Sequence, residues 1–301
     1  MNVTRRQFLQ HSVTTAAALA AGCTTTARKP VYEISLAEWS LHQELFGKKM
    51  THLEFPRVAR QEFGIGAIEL VNQFMMQQAA DTTFLREFKS RADGEGVKIL
   101  LIMCDGEGSL GDPDPAKRRQ AVLNHHKWAD AARYFGGHSI RVNAATGNVG
   151  TYQEQQDRAA EGLSELSDYC ARLGLNCIVE NHGGLSSNGE WLAGVMRKVG
   201  KSNCGTLPDF GNFQIQTGEW YDRYLGVSQL MPFAKAVSAK SNNFDAAGNC
   251  VETDYARMMK IVVGAGYHGF VGIEYEGEVL GEREGILATK RLLERVRSEM
   301  A

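Results

Sequence analysis

From Val31 onward the chain alternates between two kinds of segment. Short runs rich in apolar and β-branched residues are each followed by a longer stretch in which apolar residues recur at helical spacing. The pairs run VYEISLAEWSL with HLEFPRVARQEF, IGAIELV with TTFLREFKSRADGE, VKILLIMC with DPAKRRQAVLNHHKWADAARYF, and HSIRVN with YQEQQDRAAEGLSELSDYCARLG. They continue with LNCIVE and NGEWLAGVMRKV, NCGTLPD with a loop and a helical stretch around WYDRYLGVSQL, PFAKAVSAK with TDYARMMKIVVGAG, and GFVGIEYEG with EREGILATKRLLERVRSEM. The strand segments are apolar without strict alternation, the pattern of parallel strands covered by helices. Eight strand–helix units predict a (β/α)8 TIM barrel, one α/β domain over residues 31–301. A doubly wound open sheet is the competing arrangement. No glycine-rich phosphate-binding turn follows the first strand, which weighs against it.

Residues before Val31 break the pattern. TRRQFLQ (Thr4–Gln10) sets Arg5 and Arg6 ahead of Phe8 and Leu9, and the short run SVTTAAALAAG follows, too short to span a bilayer permanently. This resembles a twin-arginine export signal. LAAGC ends on Cys23 as bacterial lipoprotein signals do, although Ala20 stands where leucine is usual. The expectation is an export signal over 1–22, a linker over 23–30 and a barrel in the periplasm, with a lipid on Cys23 as the sole membrane attachment; a plain cleaved signal is the alternative. Of the six cysteines, five follow Cys23, an odd number without CxxC spacing. Neither a zinc knuckle nor a full disulfide framework is indicated, so they read as small core residues.

Composition narrows the partners. At 301 residues and 43% hydrophobic content the chain can bury a large single core. Its 33 basic and 35 acidic residues are mixed along the whole length. Without a basic stripe, nucleic acid is a poor partner and a small molecule a better one.

In a barrel of this kind the reactive groups collect where strands end. The first four strand ends carry Trp39, Ser40 and His42; Glu69, Asn72 and Phe74; Asp105 and Glu107; Arg141 and Asn143. The last four carry Glu180, Asn181 and His182; Asp209 and Asn212; Ser238, Lys240 and Asn242; Glu274 and Glu276. Acids at the ends of strands five, six and eight converge on one side of the mouth. Like charges at short range either raise a pKa or recruit a cation. A divalent cation is expected, manganese, magnesium, cobalt or zinc according to how much imidazole joins the oxygen donors. The structural alternatives are ion pairs of Glu180 and Glu274 with Arg141 or Lys240, and loop capping by Asp209. Glu69 reads as structural.

VENHGG, LPDFGNF, VSAKSNNF and GIEYEG, in this order at these strand ends, resemble the xylose isomerase-like barrel superfamily, often labelled sugar phosphate isomerases/epimerases. The resemblance covers essentially the whole chain after the export signal. It implies a metal held by a glutamate after strand five, an aspartate after strand six, a histidine on strand seven and a glutamate on strand eight, which correspond to Glu180, Asp209, Ser238 and Glu274. Serine at the third position is a departure: His182 is one candidate replacement ligand, and a metal held more weakly by the three carboxylates alone is the alternative.

Carboxylates around a metal can remove a proton beside a carbonyl and form an enediolate. Glu180 and Glu274 are the expected acid/base pair, with His182 and Lys240 holding the oxyanion or shuttling a proton. Trp39, His42, Asn72, Asp105, Glu107, Arg141, Asn143, Asn212 and Glu276 are expected to bind the substrate. Export favours a free or keto sugar over a sugar phosphate. The expected activity is sugar isomerisation or epimerisation; β-elimination from a 3-keto-glycoside and a non-catalytic carbohydrate-binding lipoprotein are the alternatives. Barrels of this family often pair, so association with a second copy stays open.

Overall fold

The computed structural model describes residues 30–300; the expected export signal over 1–22 and Cys23 lie outside the described residues. In chain order the elements are β1 (Glu33–Ala37), α1 (His42–Phe46), α2 (Phe55–Gln61), β2 (Ala67–Val71), α3 (Thr82–Gly94), β3 (Lys98–Met103), α4 (Pro115–Phe135), β4 (Ser139–Asn143), α5 (Tyr152–Arg172) and β5 (Asn176–Glu180). They continue with α6 (Gly189–Val199), β6 (Cys204–Leu207), the short strands β7 (Gln214–Gln216) and β8 (Glu219–Trp220), α7 (Arg223–Leu230), β9 (Val237–Ser241), α8 (Tyr255–Gly264), β10 (Phe270–Tyr275) and α9 (Glu282–Glu299).

Eight strands form one parallel sheet in the order β6-β5-β4-β3-β2-β1-β10-β9. The two ends of that sheet meet through isolated parallel bridges, Thr206 with Ala234 and Asp209 with Ser238. The (β/α)8 barrel is therefore closed at a position that carries a candidate site residue.

Side-chain parity divides the strands between two cores. Val179, Ile273 and Val237 face the helices in the large outer core, whereas Ile178, Leu101, Met103, Leu207 and Ala37 fill a smaller core inside the barrel. The polar residues share the inward parity. Glu69 alternates with Ile68 and Leu70, Glu180 with Val179, and Glu274 with Ile273 and Tyr275. Most helices begin on a side-chain cap: Asp81, Asp114, Thr151, Asn188, Asp222 and Asp254 each accept a backbone N–H of the first turn.

Two sequence expectations change. Trp220, expected in a helical stretch, lies in the hairpin β7–β8, because Asp222 caps Leu225 and starts the helix only at Arg223. The seventh barrel strand starts at Val237, since Met231–Phe233 form a 3-10 turn around Pro232. Cys104, Cys170, Cys177, Cys204 and Cys250 are buried and unpaired. No helix among the described residues is long and apolar enough to cross a membrane.

Candidate active site

Strand β5 delivers Glu180, the turn after β6 delivers Asp209, and β10 delivers Glu274. One carboxylate oxygen from each lies within 4.8 Å of the others. Glu180 and Asp209 are fully buried and Glu274 nearly so.

Asp209 is clamped from several sides. The Asn181 amide oxygen accepts the Asp209 N–H at 2.8 Å, and its NH2 donates to the carbonyls of Asp209 and Asn212, each at 3.0 Å. Asp209 Oδ1 accepts the N–H groups of Gly211 (2.8 Å) and Asn212 (2.7 Å), while Oδ2 accepts the Ser238 hydroxyl at 2.7 Å. The capping role and the place in the acidic group are both realised. Beyond Asn181, Gly183 takes φ 81° and ψ 164°, an extended positive-φ conformation that essentially only glycine adopts.

Two cations face this group. Arg141 Nε lies 2.7 Å from Glu180 Oε2, and Lys240 Nζ lies 3.0 Å from Glu274 Oε1. Lys240 also reaches Glu276 at 2.9 Å and the Asn212 amide oxygen at 3.0 Å; Asn212 in turn donates to Glu180 Oε1 at 2.9 Å. The Arg141–Glu180 approach is close but poorly aligned, so both Arg141 Nε and Glu180 Oε2 are buried without a hydrogen bond.

Two cations do not neutralise the acids around them. Burial pushes the Glu180 and Asp209 carboxyls up to about 7, against the pull of Arg141 on the first and Lys240 on the second. Burial also works against the charge on Lys240, but Glu274, Asp209 and Glu276 outweigh it and hold the lysine well above its ordinary range. Arg141 behaves alike between Glu180 and Asp105.

Above the acidic group opens a cavity of about 230 Å³. Glu274, Glu276 and Trp39 line one side; Asp105, Arg141 and His182 line the other, with Val71 and Gln73 between the strands. Asp105 Oδ1 accepts from Arg141 at 2.8 Å and from Asn143 at 2.7 Å, and its carboxyl stays below the ordinary aspartate range because Arg141 overcomes the effect of burial. His182 is exposed at the rim, where the surrounding protein and then Arg141 and Lys240 lower its pKa.

The remaining candidates divide by position. Trp39 donates its indole N–H to Glu276, and His42 stacks on Trp39 at 4.8 Å between centroids. Asn72 and Asn143 hold Asp105 in place rather than lining the cavity. Glu107, expected to bind substrate, is turned away: Trp128 donates to it at 2.7 Å and Lys127 lies 2.9 Å from it, which pins the loop to α4. His182, expected as a ligand, lies outside the three-carboxylate group. Glu180 and Asp209 lie in that group but do not line the cavity. Sequence reading passed over Gln73 and Val71, whose signal was their place at the end of β2, and gave Asn181 no part in positioning Asp209.

Three carboxylates with the Ser238 hydroxyl beside them form an all-oxygen donor set, and Glu180 Oε2 is a buried acceptor without a hydrogen-bonded donor. Both features fit a hard divalent cation.

The sequence model of the xylose isomerase-like TIM barrel family matches residues 58–297. The chain belongs to that family. Among curated proteins no sequence matches. Solved structures of xylose isomerase-like and related barrels share the fold at low identity. A xylose isomerase-like TIM barrel protein from Mycobacterium smegmatis in complex with magnesium superposes with a TM-score of 0.67 at 17% identity, covering 90% of this chain and 98% of that one. L-ribulose 3-epimerase reaches 0.71 at 14% identity (89% and 95% covered), and 3-keto-D-glucoside 4-epimerase from E. coli 0.67 at 14% (88% and 99%).

Proposed function

We propose that the protein is a cation-assisted isomerase or epimerase of a free or keto sugar, acting by proton abstraction beside a carbonyl. The observation that carries this reading is Glu274, which belongs to the buried three-carboxylate group and also lines the cavity. The named sugar epimerases among its structural relatives support the carbohydrate class. The export signal read over 1–22 supports action in the periplasm, where a lipid on Cys23 would be the only membrane attachment.

Glu180, Asp209 and Glu274 would hold the cation, which when bound would polarise substrate oxygens and acidify the neighbouring C–H. Glu274 removes the proton from the substrate carbon. Lys240, tied to Glu274 and Glu276, supplies N–H groups for charge that develops on the substrate oxygen. Arg141 orients Glu180 and Asp105 from the opposite side. Glu180, beneath the cavity in the same carboxylate group, delivers a proton of its own: on the opposite face of the same carbon it gives the epimer, and on the next carbon the aldose–ketose isomer. Elimination from a 3-keto-glycoside shares the path as far as the enolate.

Proton exchange in deuterated water tests the reading, with added magnesium or manganese and a panel of free and 3-keto sugars followed by NMR. Deuterium entering a substrate carbon in the wild type and not in Glu274→Gln is the expected result. Loss of about 10²–10⁴-fold in exchange rate corresponds to removal of a positioned acid/base group. Sugar binding without exchange in any metal would leave a binding protein and overturn the enzyme reading.

A further inference from the structure

A cavity of about 230 Å³ lies below the roughly 300–1,000 Å³ common for ligand sites, so it suits a single sugar ring. Its Trp39 wall does not end at the cavity. From Trp39 a group of rings continues outward: Phe74 lies 6.1 Å away at 31°, Phe46 lies 5.0 Å from Phe74, and Phe46 meets Trp39 edge-on at 6.0 Å. Phe46 ends α1 and is 56% exposed, a large apolar surface left in water beside a polar mouth. Trp39 is already fixed. His42 stacks on it with its Nδ1 at 2.7 Å from the Trp39 carbonyl oxygen, and Glu276 accepts the indole N–H. A preset ring group costs little ordering when a ligand arrives. Gln73, exposed in the cavity lining and next to Phe74 in the chain, offers both a donor and an acceptor for hydroxyls.

We propose that Trp39, Phe46 and Phe74 form a second sugar subsite, so that the substrate is a glycoside whose reacting ring enters the cavity while its neighbouring ring lies on this platform. The occupant follows from continuity. Glu276 joins Trp39 on one side to Lys240 on the other, so the platform and the acidic group share one hydrogen-bonded wall. A sugar has a C–H face for aromatic rings and hydroxyls for Gln73, which a purely apolar partner lacks. The inference rests on the carbohydrate reading and narrows it to glycosidically linked substrates.

The test measures binding of glucose, maltose, cellobiose and trehalose to the full chain with magnesium, by calorimetry and ligand-observed NMR, in the wild type and in Phe46→Ala. At least one disaccharide should bind about three- to tenfold tighter than glucose, the range one aromatic contact supplies, and Phe46→Ala should erase that advantage. Thermal unfolding of Phe46→Ala shows that an exposed ring was removed without loss of fold. Equal binding of glucose and every disaccharide overturns the subsite and leaves the carbohydrate reading standing, as does an advantage that survives Phe46→Ala. Absence of binding by all four sugars and by the deuterium-exchange panel overturns the carbohydrate reading and the subsite together. If sedimentation shows a wild-type dimer that Phe46→Ala dissociates, the platform is a self-association face and the proposal fails.

Discussion

Ser238 decides the chemistry of the acidic group by what it does not bring. Its hydroxyl donates to Asp209 Oδ2 at 2.7 Å, and the parallel bridge between the two residues fixes them side by side. With serine there, every donor in reach is oxygen, which favours magnesium or manganese; an imidazole would move the balance toward zinc. Competition calorimetry on Ser238→His should therefore show zinc affinity gaining over magnesium by at least an order of magnitude relative to wild type. An unchanged preference would remove Ser238 from the surroundings of the cation. The residue scale also shows why Glu180, Asp209 and Glu274 were legible in the sequence while Glu107 was misread. Strand parity and the strand-end position fix where the first three point. Glu107 belongs to a loop, and only the distant Trp128 and Lys127 determine that it turns toward α4.

At the scale of the element, β10 has a glycine where neighbouring positions carry bulk. A Cβ on Gly272 would meet both Glu69 carboxylate oxygens, at 2.6 and 2.8 Å, so the buried Glu69 side chain needs Gly272 to stay bare. β10 pairs with both β1 and β9, so a shift there disturbs two ladders. Gly272→Ala should destabilise the fold by about 1–3 kcal/mol in denaturant unfolding, and Glu69→Ala in the same chain should recover part of the loss. No change in the single variant would mean Glu69 can move freely. Helices α2–α9 and the eight barrel strands were readable because each buries an apolar face long enough to show its period, and the caps at Asp81, Asp114 and Thr151 mark helix starts; α1, five residues with only Leu45 buried, was not. The hairpin β7–β8 was not. Its strands Gln214–Gln216 and Glu219–Trp220 are short and mostly exposed, so no apolar period exists to read, and Trp220 was drawn into the helical pattern after it.

Across the whole molecule, several buried acids make stability depend on pH and on the cation in a linked way. Glu69 is completely enclosed, has only the Ser35 hydroxyl as a donor, and leaves Oε2 without a hydrogen bond; burial raises its carboxyl from the ordinary 4.5 to about 7. Below pH 4.5 both folded and unfolded chains hold this proton, and its contribution to stability is complete. As pH rises from 4.5 to about 7 the unfolded chain releases the proton first, so stability falls by roughly 3 kcal/mol and then levels off. In metal-free protein Glu180 and Asp209 act in the same direction, each being raised to about 7. A divalent cation bound among the three carboxylates opposes the effect for those two and leaves that of Glu69. Metal-free protein should therefore lose stability steadily in denaturant unfolding between pH 5 and pH 7.5. Magnesium or manganese should restore much of the loss at pH 7.5 and little at pH 5, where protons compete for the same oxygens. Glu69→Gln should flatten the part that metal does not rescue. A flat profile in metal-free protein would show that the buried carboxyls keep ordinary pKa values, and equal metal stabilisation at both pH values would put the cation away from Glu180 and Asp209.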